Sequence, residues 1–203
     1  MNTIFDQQWQ SADFYAQTQA LTADFQQAFK LPPVHQLGIV VADVEQAATR
    51  LEQAGLGPFF VAAGAPRLWR EAGVTRPMSG KLGMAYKDHI EIELLEPGLH
   101  TDFYRRSLDP SGRAVIQHLG YRVAQVDDAA QRLVAAGFPL MVRGCLRSLG
   151  MQCHFAYLDT RAACGFVTEF IDFRLMGLRV PPAWVYQAMA RLQQGLGRRA
   201  FQM

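Results

Sequence analysis

Two stretches of this 203-residue chain repeat one another, LGIVVADVEQAATRLEQAG at 37–55 and LGYRVAQVDDAAQRLVAAG at 119–137. At a constant offset of 82 residues, 11 of the 19 aligned pairs are identical, including Gly38/Gly120, Val44/Val126, Arg50/Arg132 and Gly55/Gly137. Self-similarity of this kind means that one supersecondary unit is used twice, so any fold for the chain must accommodate two copies. Each copy reads as a strand, a turn and a helix. Leu37, Ile39 and Val41 alternate as a strand with one buried face does. Asp43 stands where a helix N-cap belongs, ahead of the apolar stripe Val44, Ala47, Ala48 and Leu51. Gly55 suits the left-handed position that ends a helix. Downstream, MAYKD (84–88) matches FAYLD (155–159), and ELLEP (93–97) matches EFIDF (169–173). The second copy has five more residues between these matches, around TRAACG, as a hairpin-loop insertion would. Each unit is therefore strand–helix–strands, an α+β arrangement, with Glu93 or Glu169 near the centre of its last strand.

Composition sets limits around that core. The chain is 50% hydrophobic and 19% charged, with a formal net charge of +2, which is too small to argue for a nucleic-acid partner. Three cysteines, Cys145, Cys153 and Cys164, form neither an even disulfide framework nor a close-spaced metal motif, which fits a reducing compartment. The N-terminal MNTIFDQQWQSADF has no basic stretch followed by an apolar run, and no apolar run approaches the roughly 20 residues that span a bilayer. The expectation is a cytoplasmic protein with a small-molecule substrate and no membrane partner.

The strand HIEIELLEP shows how the two faces of the sheet divide. Ile90, Ile92 and Leu94 point one way, while His89, Glu91 and Glu93 point the other. Taken alone, the polar face reads as well as a solvated antiparallel surface as it does as a site.

The stretches QLGIVVADVEQA, GLGPFF, IEIELLEP, QHLGYRVAQVDDA and GFVTEFI, spread over residues 34–173, resemble the vicinal oxygen chelate superfamily. That superfamily includes glyoxalase I, methylmalonyl-CoA epimerase, extradiol dioxygenases and bleomycin-resistance proteins. The resemblance implies two tandem βαβββ modules whose sheets curl round one cavity, with module one at 34–97, a linker at 98–115 and module two at 116–175. Residues 1–33 and 176–203 then form N- and C-terminal helical extensions. In the family pattern, one metal ligand comes from each first strand and one from each last strand, the former just before a hydrophobic and a small residue. His118 meets that pattern before Leu119 and Gly120, and Gln36 meets it before Leu37 and Gly38. The repeat offset pairs Gln36 with His118, whereas His35 pairs with Gln117. A one-residue slip along a strand reverses the face, so His35 is expected on the helix side or at the strand's entrance, and it is the competing first-strand ligand.

The resemblance thus implies Gln36, Glu93, His118 and Glu169 as ligands to one divalent cation, whether Ni, Co, Mn, Zn, Mg or Fe. It also implies an isomerase, epimerase or lyase that abstracts a proton next to a carbonyl and stabilises an enediolate. Glu169 is the first candidate base and Glu93 the second. Glu91 is a weaker third candidate or a substrate contact. Arg122, on the cavity face, is placed either to hold a substrate carboxylate or phosphate or to form a salt bridge with an acidic side chain. Two other functions stay open: an extradiol-type dioxygenase, favoured if His35 were a ligand, and a non-enzymatic, drug-sequestering binder without metal.

Outside the repeats, residues 61–82 read as a strand and a long loop in which Arg67, Trp69, Arg70 and Arg76 are able to rim a pocket. TDFYRRSLDPSG at 101–112 reads as a short helix. Phe14, Thr18, Leu21, Phe25 and Phe29 give a helical stripe before LPP. After VPP, Val185, Met189, Leu192 and Leu196 give another, on a helix that carries Arg191, Arg198 and Arg199. These extensions are expected to pack on the core or to form a homodimer contact.

Overall fold

A computed structural model describes residues 3–5, 8–148, 150–197 and 199–202. Before the first repeat come β1 (Thr3–Ile4) and two short helices, α1 (Phe14–Ala20) and α2 (Ala23–Phe29). The expected single helical stripe is thus broken at Leu21 and Thr22. The break lets the Thr22 hydroxyl meet that of buried Tyr121 at 2.8 Å. Phe25 and Phe29 also pack edge-on to Phe138, so the extension lies against module two.

Module one follows as β2 (Gln36–Val40), α3 (Val44–Gln53), β3 (Phe60–Gly64), β4 (Leu68–Glu71), β5 (Val74–Thr75), β6 (Gly80–Lys87) and β7 (Ile90–Leu95). A 3₁₀ turn at Arg105–Ser107 stands in place of the expected helix in the linker. Module two comprises β8 (Val115–Arg122), α4 (Val126–Ala135), β9 (Leu140–Ser148), β10 (Met151–Leu158), α5 (Arg161–Cys164) and β11 (Val167–Leu175). The chain ends with β12 (Leu178–Arg179), α6 (Ala183–Gly195) and β13 (Phe201–Gln202).

The repeat is structural as well as sequential. The buried stripe of α3 is Val44, Ala47, Ala48 and Leu51; that of α4 is Val126, Ala129, Ala130 and Leu133, the same residues shifted by the repeat offset. Asp43 caps α3 by accepting from the Gln46 amide at 2.9 Å. Gly55 and Gly137 both adopt φ 96°, which stops each helix at the same point. The second copy's longer hairpin carries α5 where the first has a two-residue turn.

Within module one the strands run β3-β6-β7-β2, and within module two β8-β11-β10-β9. An antiparallel β2–β8 pairing joins them. The segment expected to be a long loop holds β4, which pairs antiparallel with β9 at the far edge of module two. The two modules therefore meet along two lines, and the sheet curls into a cup. Its outer face, with Leu37, Ile39, Ile92, Leu94 and Leu119, packs beneath α3, α4 and the N-terminal helices as one apolar cluster. Its inner face carries a second cluster around Trp69, Tyr104, Phe155 and Tyr157.

On α6 the buried positions are Val185, Ala190 and Gln193. Leu192 and Leu196, expected on the apolar stripe, are 55% and 57% exposed. The turn of the helix instead presents Gln193 to the free edge of β3, where its side chain accepts from Val61 N–H at 2.9 Å and donates to Val61 C=O at 2.6 Å. β13 extends that edge as a parallel strand. Arg199 anchors the segment on Glu52 at 3.0 Å, while Arg198 lies outside the described residues. Among the described residues no helix is long and apolar enough to cross a membrane.

Replacing Gln193 with leucine would leave a buried N–H and C=O without partners, each such loss costing on the order of 1–3 kcal/mol. The Gln193→Leu protein should therefore unfold at distinctly lower denaturant with an unchanged m-value.

Candidate metal centre

The β2–β8 pairing places Gln36 opposite Gly120 and Gly38 opposite His118. Each glycine makes room for the side chain contributed by the other module. A Cβ on Gly38 would collide with the His118 ring, and one on Gly120 with the Gln36 side chain. The repeated Leu-Gly pair thus reflects a packing need at the seam as well as a common origin. Parallel pairings β2–β7 and β8–β11 then set Glu91 and Glu93 beside Gln36 and Gly38, and Glu169 beside Gly120.

The register shifts between Gly38 and Ile39, so Gln117 has no counterpart in β2 and forms a bulge. Gln117 is buried, and its Oε1 lies 2.7 Å from His118 Nδ1. Because that oxygen can only accept, Nδ1 carries the proton and donates it, and Nε2 is turned toward the acidic residues. His118 Nε2 lies 3.3 Å from Glu93 Oε2 and 3.1 Å from Glu169 Oε2. Donor atoms of these three buried residues all fall within 4.8 Å of one another. The contacts have ion-pair distances without hydrogen-bond geometry, and Glu93 Oε2, His118 Nε2 and Glu169 Oε2 have no hydrogen-bond partner among the described residues. Gln36 Oε1 is likewise buried and unpartnered, while its amide donates to Glu91 Oε1 at 2.8 Å.

The electrostatics follow from this crowding. Burial opposes protonation of His118, but the Glu169 and Glu93 carboxylates outweigh it and push its pKa up to about 9. Burial raises the pKa of Glu169 against the opposing pull of His118. Burial, aided by Glu93 and Glu169, also raises Glu91 to about 8, although a hydrogen bond from Tyr86 opposes it.

The remaining sequence-derived candidates are distributed unevenly. Gln36, Glu91, Glu93, Glu169, Arg122 and His35 all border one cavity of about 830 Å³ of space, including its open mouth. His35 sits just before β2, and its side-chain nitrogens are not among the mutually close donor group. Burial and the neighbouring Arg122 lower its pKa to about 3, so it is neutral. Arg122 makes no ion pair among the described residues and donates from Nη2 to the Val180 carbonyl at 2.9 Å. Trp69 lies in the cavity wall, whereas Arg67, Arg70 and Arg76 do not line this cavity.

Several wall residues escape a reading of the sequence. Tyr104 comes from the linker, and its hydroxyl lies 3.1 Å from that of Tyr157. Tyr157 is the repeat counterpart of Tyr86, yet β6–β7 sets Tyr86 opposite Glu91 while β10–β11 sets Tyr157 opposite Glu169. The registers differ by two residues, which keeps both tyrosines on the cup's inner face and gives them different partners. The alternation of Cys153, Phe155 and Tyr157 was the available signal for that face. Pro182 and Tyr186, from the C-terminal extension, have no repeat counterpart to signal them.

The chain matches the model of the Glyoxalase/Bleomycin resistance protein/Dioxygenase superfamily over residues 35–157. It belongs to that superfamily. No match was found among curated proteins. Similar solved structures include methylmalonyl-CoA epimerase from Mycobacterium tuberculosis, at 20% identity and TM-score 0.44, covering 70% of this chain and 87% of that one. A hypothetical protein from Bacillus halodurans matches at 16% identity and TM-score 0.45, over 68% of this chain and 91% of that one. A variant of Streptomyces coelicolor methylmalonyl-CoA epimerase, in complex with 2-nitronate-propionyl-CoA, matches at 16% identity and TM-score 0.46, over 70% and 96%.

Two predictions come from the seam and its charges. Gly38→Ala should displace the His118 ring and cost several kcal/mol, about the upper range for an overpacked site, as read by chemical denaturation. In metal-free protein, His118 and Glu91 both bind protons more tightly folded than unfolded, with pKa values of about 9 against 6.5 and about 8 against 4.5. Their contribution to stability is therefore complete below the unfolded values and lost as pH rises through the folded ones. The melting temperature of metal-free protein should fall between about pH 4.5 and 9, Glu91 contributing from 4.5 to 8 and His118 from 6.5 to 9, and Gln substitution of Glu91 should flatten the lower part of that fall.

Proposed function

We propose that this superfamily member is a metal-dependent isomerase, epimerase or lyase that moves a proton next to a carbonyl. The observation that carries the reading is that Gln36 Oε1, Glu93 Oε2, His118 Nε2 and Glu169 Oε2 are buried without hydrogen-bond partners among the described residues; His35 Nδ1 shares that condition but lies outside the close donor group. The two buried carboxylate oxygens share a single imidazole at ion-pair distance; a buried ion costs about several kcal/mol, and a divalent cation offsets both charges at once. One imidazole nitrogen, one carboxamide oxygen and two carboxylates suit borderline or hard ions from Mg to Ni and Zn. When bound, such an ion supplies Lewis-acid stabilisation of negative charge on a substrate carbonyl oxygen.

The chain's own residues would divide the remaining work. Glu169 is the base that takes and returns the proton, with Glu93 across the site as the second carboxylate. Glu91 is unsuited to that task because Gln36 and Tyr86 occupy its two oxygens. Its role is to hold the Gln36 amide so that Oε1 faces inward. Gln117 does the same for His118, fixing the tautomer that leaves Nε2 free. The close donor group contains one imidazole and two carboxylates, which is not the two-histidine, one-carboxylate set of an iron dioxygenase. A drug-sequestering pocket would suit the apolar walls but would give no reason for the unpartnered acidic cluster.

Elemental analysis of purified and reconstituted protein tests the reading. About one divalent ion per chain is expected, lost in Glu169→Ala and bound about 10–100-fold more weakly in Gln117→Leu, the usual range for an outer hydrogen-bond partner. Absence of metal after reconstitution would overturn it. Because His118 must surrender a proton held up to about pH 9, metal uptake should release protons and tighten as pH rises toward that value.

A further inference from the structure

The cationic side chains bordering the cavity are Lys81 and Arg122, and their surroundings differ. Lys81 is paired, with Nζ 2.7 Å from Glu45 Oε1 and 4.0 Å from Glu96 Oε1. Arg122 has no carboxylate within ion-pair distance among the described residues. A guanidinium carries five N–H groups and keeps its charge throughout the ordinary pH range. Among the described residues the side chain has one acceptor, the neutral Val180 carbonyl, met by Nη2 at 2.9 Å. That bond fixes the group in place without balancing its charge. Arg122 is only partly exposed, so solvent compensates the charge incompletely.

Arg122 lies on β8 two residues past Gly120 and four past His118, so all three share the inward face. The Gln36 side chain fills the space over Gly120. Burial and then the guanidinium charge lower the pKa of His35, and the same charge opposes the rise that burial causes at Glu91. His35 adjoins Gln36 in the chain, and Glu91 accepts from the Gln36 amide, so the charge stands on the Gln36 side of the candidate metal centre. The acids nearby are engaged elsewhere: Glu91 with Gln36 and Tyr86, Glu93 and Glu169 with His118. This corner also contains His35 Nδ1, buried and without a hydrogen-bond partner. It thus combines an uncompensated charge with an unsatisfied nitrogen, whereas Trp69, Leu82, Met84, Phe155 and Phe173 make other parts of the wall apolar.

We infer that Arg122 is a specificity-determining residue that binds a carboxylate at the far end of the substrate, apart from the oxygens that meet the metal centre. The substrate class is a carbonyl compound with a carboxylate a few bonds from the reacting carbonyl. This rests on the proposed function for the reacting end only. A carboxylate matches the guanidinium fork in shape and its single charge in magnitude. A phosphoryl dianion would bring a second negative charge into a cavity that already holds Glu91, Glu93 and Glu169.

2-Oxoglutarate and 2-oxopentanoate share a head and a chain length and differ by a terminal carboxylate against a methyl group. Calorimetric titration of both into metal-loaded and metal-free protein tests the inference. Wild-type protein should bind 2-oxoglutarate about 30-fold more tightly, the usual worth of a charge-assisted hydrogen bond. Arg122→Met should bring the two affinities within about threefold by weakening 2-oxoglutarate. Arg122→Lys, which keeps the charge but not the fork, should retain a preference of about tenfold. If Arg122 served only to tie down Val180, both variants would weaken the two ligands alike and leave the ratio at its wild-type value. That result, equal affinities in wild type, or binding of neither ligand would overturn the inference. So would tighter binding of 2-oxo-4-phosphonobutanoate than of 2-oxoglutarate, which would assign the subsite to phosphoryl groups. The wild-type ratio and Arg122→Lys decide the matter even if Arg122→Met fails to fold. Protein that takes up no cation yet shows the Arg122-dependent preference would sink the proposed reaction and uphold this inference; cation uptake with equal affinities would do the reverse.

Discussion

The seam between β2 and β8 is the constraint on which the rest of the cup depends. Antiparallel pairing across a pseudo-twofold axis can bring two first strands together only if each makes space for the other's inward side chain. Gly38 does so for His118, and Gly120 for Gln36. The same pairing sets the positions of the last strands, because β7 and β11 add in parallel to either side and carry Glu93 and Glu169 inward. A side chain larger than hydrogen at either glycine would push apart the residues that the seam brings together.

The two halves share a frame but not a chemistry. Gln36 and His118 are equivalent by repeat, yet each is held by a different neighbour: Gln36 by Glu91 on the adjoining strand, and His118 by Gln117 through a bulge in its own strand. In both cases the partner consumes the outward polar atom and leaves the inward one unpaired. Such an arrangement is costly in a dry interior unless something binds the inward atoms, and that cost is what supports the proposed cation. The surrounding apolar wall lowers the local dielectric and so strengthens every charge interaction at the centre.

Much of this was legible in the sequence, and for physical reasons. Repeat spacing located α3 and α4 residue by residue, because the same apolar stripe must cover the same face of the sheet in both copies. Strand alternation put Glu91 and Glu93 on the face opposite Ile92, and the structure brings Glu93, His118 and Glu169 together there. What escaped depends on contacts without a local pattern. The pairing of β4 with β9 joins segments far apart in the chain, so a short strand inside a long connection read as a loop. The bulge at Gln117 exists only relative to β2. Arg122 borders the cavity, the face on which it was expected, and its bond to the Val180 carbonyl could not be foreseen because that partner comes from a segment with no repeat equivalent. Leu192 and Leu196 continued an apolar spacing, but the edge of β3 needed the hydrogen-bonding capacity of Gln193 more than another leucine.

In the proposed centre, one cation is held by a single imidazole from module two together with oxygens from both modules. X-ray absorption spectroscopy of cobalt-loaded protein, compared with the His35→Ala variant, tests it most directly. One imidazole among oxygen ligands, unchanged when His35 is removed, is the predicted result. Two imidazoles in the wild-type spectrum, with one lost in His35→Ala, would contradict it.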